Sequence, residues 1–260
     1  MTAPRARFGA PGPARPLAEE VAVALTFNGT TQAVMMATPR DLEDFARGFA
    51  LTEGIARPGE IEGVEVVATP RGIDVQTWIA AVPAARLARR RRTMAGPVGC
   101  GLCGIDSLEE ALRDVVPVPP SALRITPGQV MGAVAALTAH QPLHDATRAV
   151  HAAAWWTPAG GIALAREDVG RHNALDKLAG ALVARPQPPG AVVLTSRVSI
   201  DLVQKAAVLG APVVIAVSAP TDAAVRLAAA AGITLIALAR PDRFDAFTHI
   251  DRITENAVVA

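Results

Sequence analysis

Both cysteines of the chain lie in one stretch, Gly99-Cys100-Gly101-Leu102-Cys103-Gly104, spaced C-x-x-C and flanked by glycines. The thiolate is the reactive form of cysteine, and nearby cations or a helix N-terminus lower the thiol pKa from its free value of about 8.5. Both features adjoin the pair in sequence. Arg89-Arg90-Arg91-Arg92 precedes it, and Asp106-Ser107-Leu108-Glu109-Glu110 follows it as a helix start, with Asp106 and Ser107 as cap candidates and acidic residues in the first turn. The glycines free the backbone for unusual dihedrals and leave the sulfurs uncovered. Several chemistries share this spacing. A structural zinc site needs four ligands, and beyond this pair only His140 and His144 have near-finger spacing, around a Gln-Pro turn. A thioredoxin-type dithiol follows a strand early in a βαβ unit, whereas this pair follows an arginine run. A chance pair in a glycine turn is the bland reading. Other thiol chemistry, such as carrying sulfur as a persulfide, fits the same residues.

The elements that position such a pair belong to a chain of 260 residues, 51% hydrophobic and 19% charged, long enough for one large or two modest domains. A formal net charge of +1 gives no bulk electrostatic case for nucleic-acid or membrane binding. The cations are nearly all arginine, the only lysines being Lys177 and Lys205. Two neighbouring thiols are no disulfide framework and fit a reducing compartment, so a cytoplasmic protein is expected. The opening residues, 1–17, are rich in Pro, Gly, Ala and Arg and read as a disordered tail, without the apolar segment of a signal peptide. No apolar run approaches the roughly 18 residues that suggest a membrane span.

Residues 18–120 read as a small α+β domain. Glu20 to Phe27 alternates as a strand, Asn28-Gly29 signals a hairpin turn, and Thr31 to Thr38 returns. Pro39 opens a helix with Leu42, Phe45, Ala46, Phe49 and Ala50 on one face. Strands Gly63 to Ala68 and Ile73 to Ile79 follow, then a helix ending in the arginine run, the cysteine loop, and a boundary at Pro117-Val118-Pro119-Pro120. Residues 121–260 change rhythm. After a helix at Pro127 to Ala139, strands at 162–166, 191–195, 213–217 and 233–238 alternate with helices at 174–184, 200–209 and 222–231. Short apolar strands separated by helices predict a largely parallel sheet covered on both faces.

In open α/β sheets the ligand site lies beyond the carboxyl ends of the strands. The loops expected there are Glu167-Asp168-Val169-Gly170-Arg171-His172-Asn173, Ser196-Arg197-Val198-Ser199, Ser218-Ala219-Pro220-Thr221 and Arg240-Pro241-Asp242-Arg243. Arginines, hydroxyls and helix N-termini on one rim are the chemistry of phosphate binding. Singly, Asn173, Ser199 and Thr221 serve as well as plain N-caps. Arg171 and Arg197 would pass as surface arginines, and His172 as a packed histidine. Lys177 and Lys205 point either to the rim or to a solvated face. His151-Ala152-Ala153, in an Ala-Trp segment of helical look, echoes the H-x-E of zinc deaminases, but the catalytic Glu is replaced by Ala153 and the cysteine pair precedes the histidine.

Together these strings resemble the formate dehydrogenase accessory sulfurtransferases, the FdhD family. The cysteine loop, Arg166-Glu167-Asp168-Val169-Gly170-Arg171-His172-Asn173-Ala174-Leu175-Asp176-Lys177-Leu178, Ser196-Arg197-Val198-Ser199 with Val203-Gln204-Lys205, Ala216-Val217-Ser218-Ala219, and Thr248-His249 occur in the family's order. The resemblance runs from about Glu20 to the C-terminus. It implies an α/β protein with a small N-terminal α+β domain followed by a cytidine-deaminase-like three-layer αβα domain. The implied function is a sulfurtransferase that accepts persulfide sulfur from a cysteine desulfurase. It would pass that sulfur to the bis(guanine dinucleotide) molybdenum cofactor, its bound substrate, for apo formate dehydrogenase, with no structural metal and as a homodimer. By position Cys100 matches the persulfide carrier and Cys103 its partner. Leu238, Ala239, Arg240, Pro241, Asp242 and Arg243 match the cofactor-binding segment, with Asp168, Arg171, His172, Ser196, Arg197 and Ser218 as further cofactor-binding candidates. The chain departs from the family at Thr147-Arg148-Ala149-Val150, where Thr-Gly-Gly is common, and at Phe247, where Tyr is usual. A nucleotide-binding dithiol redox protein and an assembly scaffold are the alternative functions.

Overall fold

A computed structural model describes residues 15–92 and 115–255. Cys100, Cys103 and the expected helix start at Asp106 and Ser107 lie outside the described residues, as does nearly all of the expected tail. The chain opens with a hairpin of β1 (Val21–Phe27) and β2 (Thr30–Ala37). Its turn is Asn28-Gly29, with φ of 45° and 75°, the left-handed pair that a tight two-residue hairpin requires. The Asn28 amide also binds both backbone groups of Ile79, donating to its carbonyl at 2.9 Å and accepting from its N–H at 2.8 Å. Helix α1 (Leu42–Thr52) then crosses over to β3 (Ile61–Thr69) and β4 (Gly72–Ile79). The sheet order is β2-β1-β4-β3, with β1 and β4 parallel. Val23, Leu25 and Phe27, alternate residues of β1, pack with Phe45, Phe49 and Val75. The last element of this unit is α2 (Ala81–Arg92), anchored by buried Leu87.

Helix α1 begins later than the Pro39 signal suggests. Thr38 is fastened to the second unit, its N–H donating to Asp168 Oδ2 at 3.0 Å, and Asp41 takes the left-handed region at φ 52°, so helical geometry starts at Leu42.

The second unit contains α3 (Pro127–Leu137), the short α4 (Pro142–Thr147), β5 (His151–Thr157), β6 (Gly161–Asp168), α5 (Arg171–Ala184), β7 (Ala191–Leu194), α6 (Ile200–Val208), β8 (Val213–Ala216), α7 (Asp222–Ala230), β9 (Thr234–Ala237) and β10 (Asp245–Ala246). Val118 already belongs to it, donating its N–H to the Ala231 carbonyl and packing among its apolar residues. The sheet order is β10-β9-β8-β7-β5-β6. Only the β7–β8 and β8–β9 pairings are parallel; β5 is antiparallel to both β6 and β7, and β10 to β9. The expectation of a largely parallel sheet is thus corrected, and so is the helical look of the Ala-Trp segment, which is strand β5. Ala152 to Thr157 is buried on both faces, and a short continuous apolar run does not distinguish a buried strand from a helix by periodicity. Alternate residues of β7 divide between two cores. Val192 and Leu194 pack with α5, α6 and α7, whereas Ala191 and Val193 pack with α3, giving three layers.

The two units meet along a seam where α1 crosses α5 at backbone contact. A Cβ on Gly48 would lie 1.7 Å from the Asp176 carbonyl oxygen, and one on Gly180 would lie 1.9 Å from that of Asp44. Neither lysine does what the sequence suggested; both are buried here. Lys177 Nζ lies 2.6 Å from Asp168 Oδ2 and donates to the Thr38 carbonyl at 2.8 Å. Lys205 Nζ reaches Asp176 Oδ1 at 2.9 Å and Glu53 Oε1 at 2.7 Å, and Thr52 Oγ1 donates to Asp176 at 2.6 Å. Arg166 binds Asp44 at 2.6 Å. Burial pulls the Lys177 ammonium below its ordinary value against the pull of Asp168. Burial also acts on Lys205, but Asp176 and Glu53 outweigh it and hold that ammonium above the usual lysine range.

Candidate functional site

Because β6 and β7 each run antiparallel to β5, they are parallel to one another, and β8 and β9 follow the same direction. The carboxyl ends of β6, β7, β8 and β9 therefore share one rim, as the sequence implied, although by a route it did not foresee. The strand between β6 and β7 adds its amino end, His151, in register with Asp168. The loops after β7 and β8 are laced together by the Val198 N–H donating to the Ala219 carbonyl and the Thr221 N–H donating to the Val198 carbonyl.

The turn after β6 is built by buried carboxylates. Asp168 is fully buried, and besides Thr38 and Lys177 it accepts from the Gly170 N–H at 2.7 Å and Asn173 Nδ2 at 2.9 Å. It shapes the turn and locks it to the seam. Glu167 accepts the Leu143 and His144 N–H groups, each at 2.8 Å, capping α4. Gly170 then opens α5 with no side-chain cap, and Arg171 and His172 occupy the first turn. Arg171 Nε and His172 Nε2 are both buried atoms without a hydrogen-bond partner among the described residues. Buried polar groups are normally paired, so two orphan donors at one helix start mark a place for an acceptor. His172 Nε2 faces Asp201 Oδ2 at 3.5 Å, and Ser199 Oγ donates to that same oxygen at 3.2 Å. The imidazole is the main influence holding the Asp201 carboxyl below the usual carboxylate range, against the opposing effect of burial, with Ser199 assisting.

The remaining predicted residues line the same rim in different states. Ser196 is buried, with Oγ donating to the Arg197 carbonyl, and Arg197 itself is exposed. Ser218 is half-buried, and its carbonyl accepts the Leu238 N–H. Leu238 has φ 52°, a strained conformation for a bulky residue of the kind concentrated at functional sites. Ala239 is buried; the Arg240 guanidinium folds back onto the Val217 and Ala239 carbonyls. Pro241, Asp242 and Arg243 are exposed, with Arg243 paired to Asp242 at 3.1 Å. Among the described residues no group of three or more His, Cys, Asp or Glu side chains is arranged to hold a metal ion.

Two rim residues escaped the sequence reading. His151 drew notice only for its deaminase echo; reading its segment as an antiparallel strand would have put it on the rim. Burial and then the neighbouring Arg171 and His144 push its imidazole below the ordinary value, with Asp168 opposing. Asp201 carried one signal, the Ser199-x-Asp201 spacing at a helix start. Of the departures from the family pattern, Arg148 keeps the left-handed backbone that a glycine would supply, at φ 57°. Phe247 lies beside Leu235 toward the amino end of β9, away from the rim.

The fold and site define a two-unit α/β protein whose second sheet gathers the loops after four strands on one rim, with its cysteine pair between the described parts of the two units in sequence. The family model described as FdhD/NarQ matches residues 18–254, and the chain belongs to that family. It is 51% identical over 242 residues to a protein of Agrobacterium fabrum named sulfur carrier protein FdhD, covering 92% of this chain and 89% of that one. A protein of the same name from Brucella abortus is 53% identical over 92% of this chain and 90% of its own. A solved structure from Desulfotalea psychrophila, described as a formate dehydrogenase accessory protein, superposes with a TM-score of 0.73 at 26% identity, covering 92% of this chain and 91% of that one.

Proposed function

We propose that this protein is a sulfur carrier for formate dehydrogenase maturation, taking sulfur as a persulfide on Cys100 and delivering it to a guanine-dinucleotide molybdenum cofactor held at the rim. The observation that carries the reading is the pair of orphan donors, Arg171 Nε and His172 Nε2, at an anion-receiving rim on a chain whose relatives are named sulfur carriers. A cofactor bearing nucleotide diphosphates brings the acceptors those donors lack. Arg171, His172 and the exposed Arg197 and Arg243 would hold the phosphates, while Ser196, Ser218 and the 238–243 segment shape the surface around them. Sulfur acquisition is a thiolate exchange. The Cys100 thiolate attacks the terminal sulfur of a persulfide on a cysteine desulfurase, a new sulfur–sulfur bond forms, the donor's bond breaks, and the donor cysteine leaves as its thiolate. The protein acts in the cytoplasm as a homodimer on this reading, with apo formate dehydrogenase as recipient. No helix among the described residues is long and apolar enough to cross a membrane.

Mass spectrometry of the full chain after incubation with a cysteine desulfurase and cysteine tests the sulfur half. The expected product gains one sulfur atom on Cys100, and the gain is lost in Cys100→Ala. Loss of two hydrogens with a Cys100–Cys103 disulfide would instead identify a dithiol redox protein, and an unchanged mass would leave a scaffold.

A further inference from the structure

Among the described residues, Asp201 stands out from the other carboxylates around the rim because it is met neither by a lysine or arginine nor by two backbone N–H groups of another element. Asp168 is matched by Lys177 and Asp242 by Arg243, and Glu167 is occupied by two backbone donors. Asp201 has Ser199 Oγ at 3.2 Å and, at 3.5 Å, His172 Nε2, which is itself a buried atom with no hydrogen-bond partner. Its side chain is 21% exposed and that of His172 is 18% exposed, so solvent only partly makes up for the missing partner. A half-buried carboxylate without a cation faces an imidazole nitrogen without a partner. One proton on the imidazole, with a slight shortening of the contact, satisfies both, and such bonds commonly tighten only when ligand arrives.

We infer that Asp201 is a positioning residue for His172, and that the two couple anion binding at the rim to uptake of a proton. The inference rests on the proposed reading of the rim as a nucleotide diphosphate site. Histidine is the side chain whose charge ordinarily changes between pH 5 and 8. The groups that bear on His172 are Arg171 beside it on α5, Asp201 and Ser199 on α6, and His151 on β5. His151 is in turn flanked by His144 and Asp168. Arg171 and a charged His151 place positive charge near His172, and Asp201 places negative charge there. The charge of Asp168 is already spent on Lys177 across the seam. A diphosphate entering beside Arg171 adds the negative charge that shifts this balance toward the imidazolium, so ligand and proton arrive together.

Calorimetry of GDP binding to the full chain, in buffers of different ionisation enthalpy at pH 7.5, counts the protons taken up on binding. Uptake is expected in the unsubstituted protein, absent in H172Q, mostly lost in D201N and largely kept in D201E, whereas a merely structural Asp201 would leave uptake unchanged in any variant that binds. Binding without uptake, or equal uptake in D201N, overturns the inference and leaves the rim reading standing. If GDP fails to bind the unsubstituted protein, the rim reading falls and takes the inference with it. Should D201N not fold, H172Q decides, because uptake that survives there assigns the proton to another group such as His151.

Discussion

The seam between the two units and the rim of the second sheet lie at adjoining parts of α5, yet they treat charge in opposite ways. On the seam Lys177 is closed on the Asp168 carboxylate and the Thr38 carbonyl at 2.6 and 2.8 Å, and Lys205 on Asp176, Glu53 and the Thr52 hydroxyl at 2.7 to 2.9 Å, with Phe45 and Phe49 rings 5.8 Å from the two ammonium groups. Earlier on α5, the helix of Lys177, Arg171 Nε and His172 Nε2 have no hydrogen-bond partner among the described residues, and His172 faces Asp201 at 3.5 Å. Burying a charge is tolerable only when it is paired and hydrogen-bonded, and the seam meets that condition. The rim leaves donors unmatched that an incoming acceptor can satisfy. Asp168 joins the regions, since one oxygen accepts from the Gly170 N–H that begins the rim turn while the other meets Lys177. The difference separates charges that hold the architecture from polar groups that, on the proposed function, would meet a ligand.

The sharpest way to break that division is at the helix crossing. Gly48→Ala would place a methyl group 1.7 Å from the Asp176 carbonyl, so α1 must withdraw from α5 and the ion pairs on either side must open. A loss of about 4 kcal/mol or more in urea unfolding is expected, or no recoverable folded protein. Gly132, in the middle of α3, has nothing within 4 Å of such a methyl group, and Gly132→Ala should stabilise by about 0.5–1 kcal/mol. Equal effects at the two glycines would remove the seam from its structural role.

A smaller contrast compares charge with charge. Asp176→Ala strips Lys205 of its most buried partner and should cost about 3–5 kcal/mol of stability. Arg171→Ala removes a donor, Nε, without a hydrogen-bond partner among the described residues, so unfolding should move by only about 0.5 kcal/mol. GDP affinity should nevertheless fall about tenfold or more, the worth of one hydrogen bond to a charged group. If Arg171→Ala destabilised like Asp176→Ala, the rim would be one more part of the seam.

Much of this arrangement was legible in the chain. The Asn28-Gly29 turn, the apolar face of α1 and the alternation of helices and strands after residue 160 follow from local periodicity and turn chemistry, and each lies within a few residues of where the sequence placed it. The rim loops were legible too, because strand ends carry their sequence with them. What could not be read was pairing across distance. Lys177 and Lys205 could be placed in one dimension only on the rim or on a solvated face, because Thr38, which meets Lys177, and Thr52 and Glu53, which meet Lys205, lie far away along the chain. Strand β5 was missed for a different reason. Ala152 to Trp156 is apolar without alternation, since both faces of the strand are covered, and its direction, which brings His151 to the rim, is a property of the sheet alone.

His151 offers the gentlest test of the comparison, through pH. Burial, together with Arg171 and His144, holds its imidazole below the ordinary value of 6.5 in the folded chain. As pH falls below that value the unfolded chain binds the proton first, so stability declines through the window down to the lowered folded value, and the loss is complete beneath it. His151→Asn cannot take up that proton and should flatten this part of the profile measured by urea unfolding between pH 7.5 and 5. Lys205 on the seam contributes nothing to the same window, because its upward-held ammonium stays charged throughout and loses its stabilising effect only when pH rises through its raised value. A decline as steep in His151→Asn as in the parent would move the acid sensitivity away from His151.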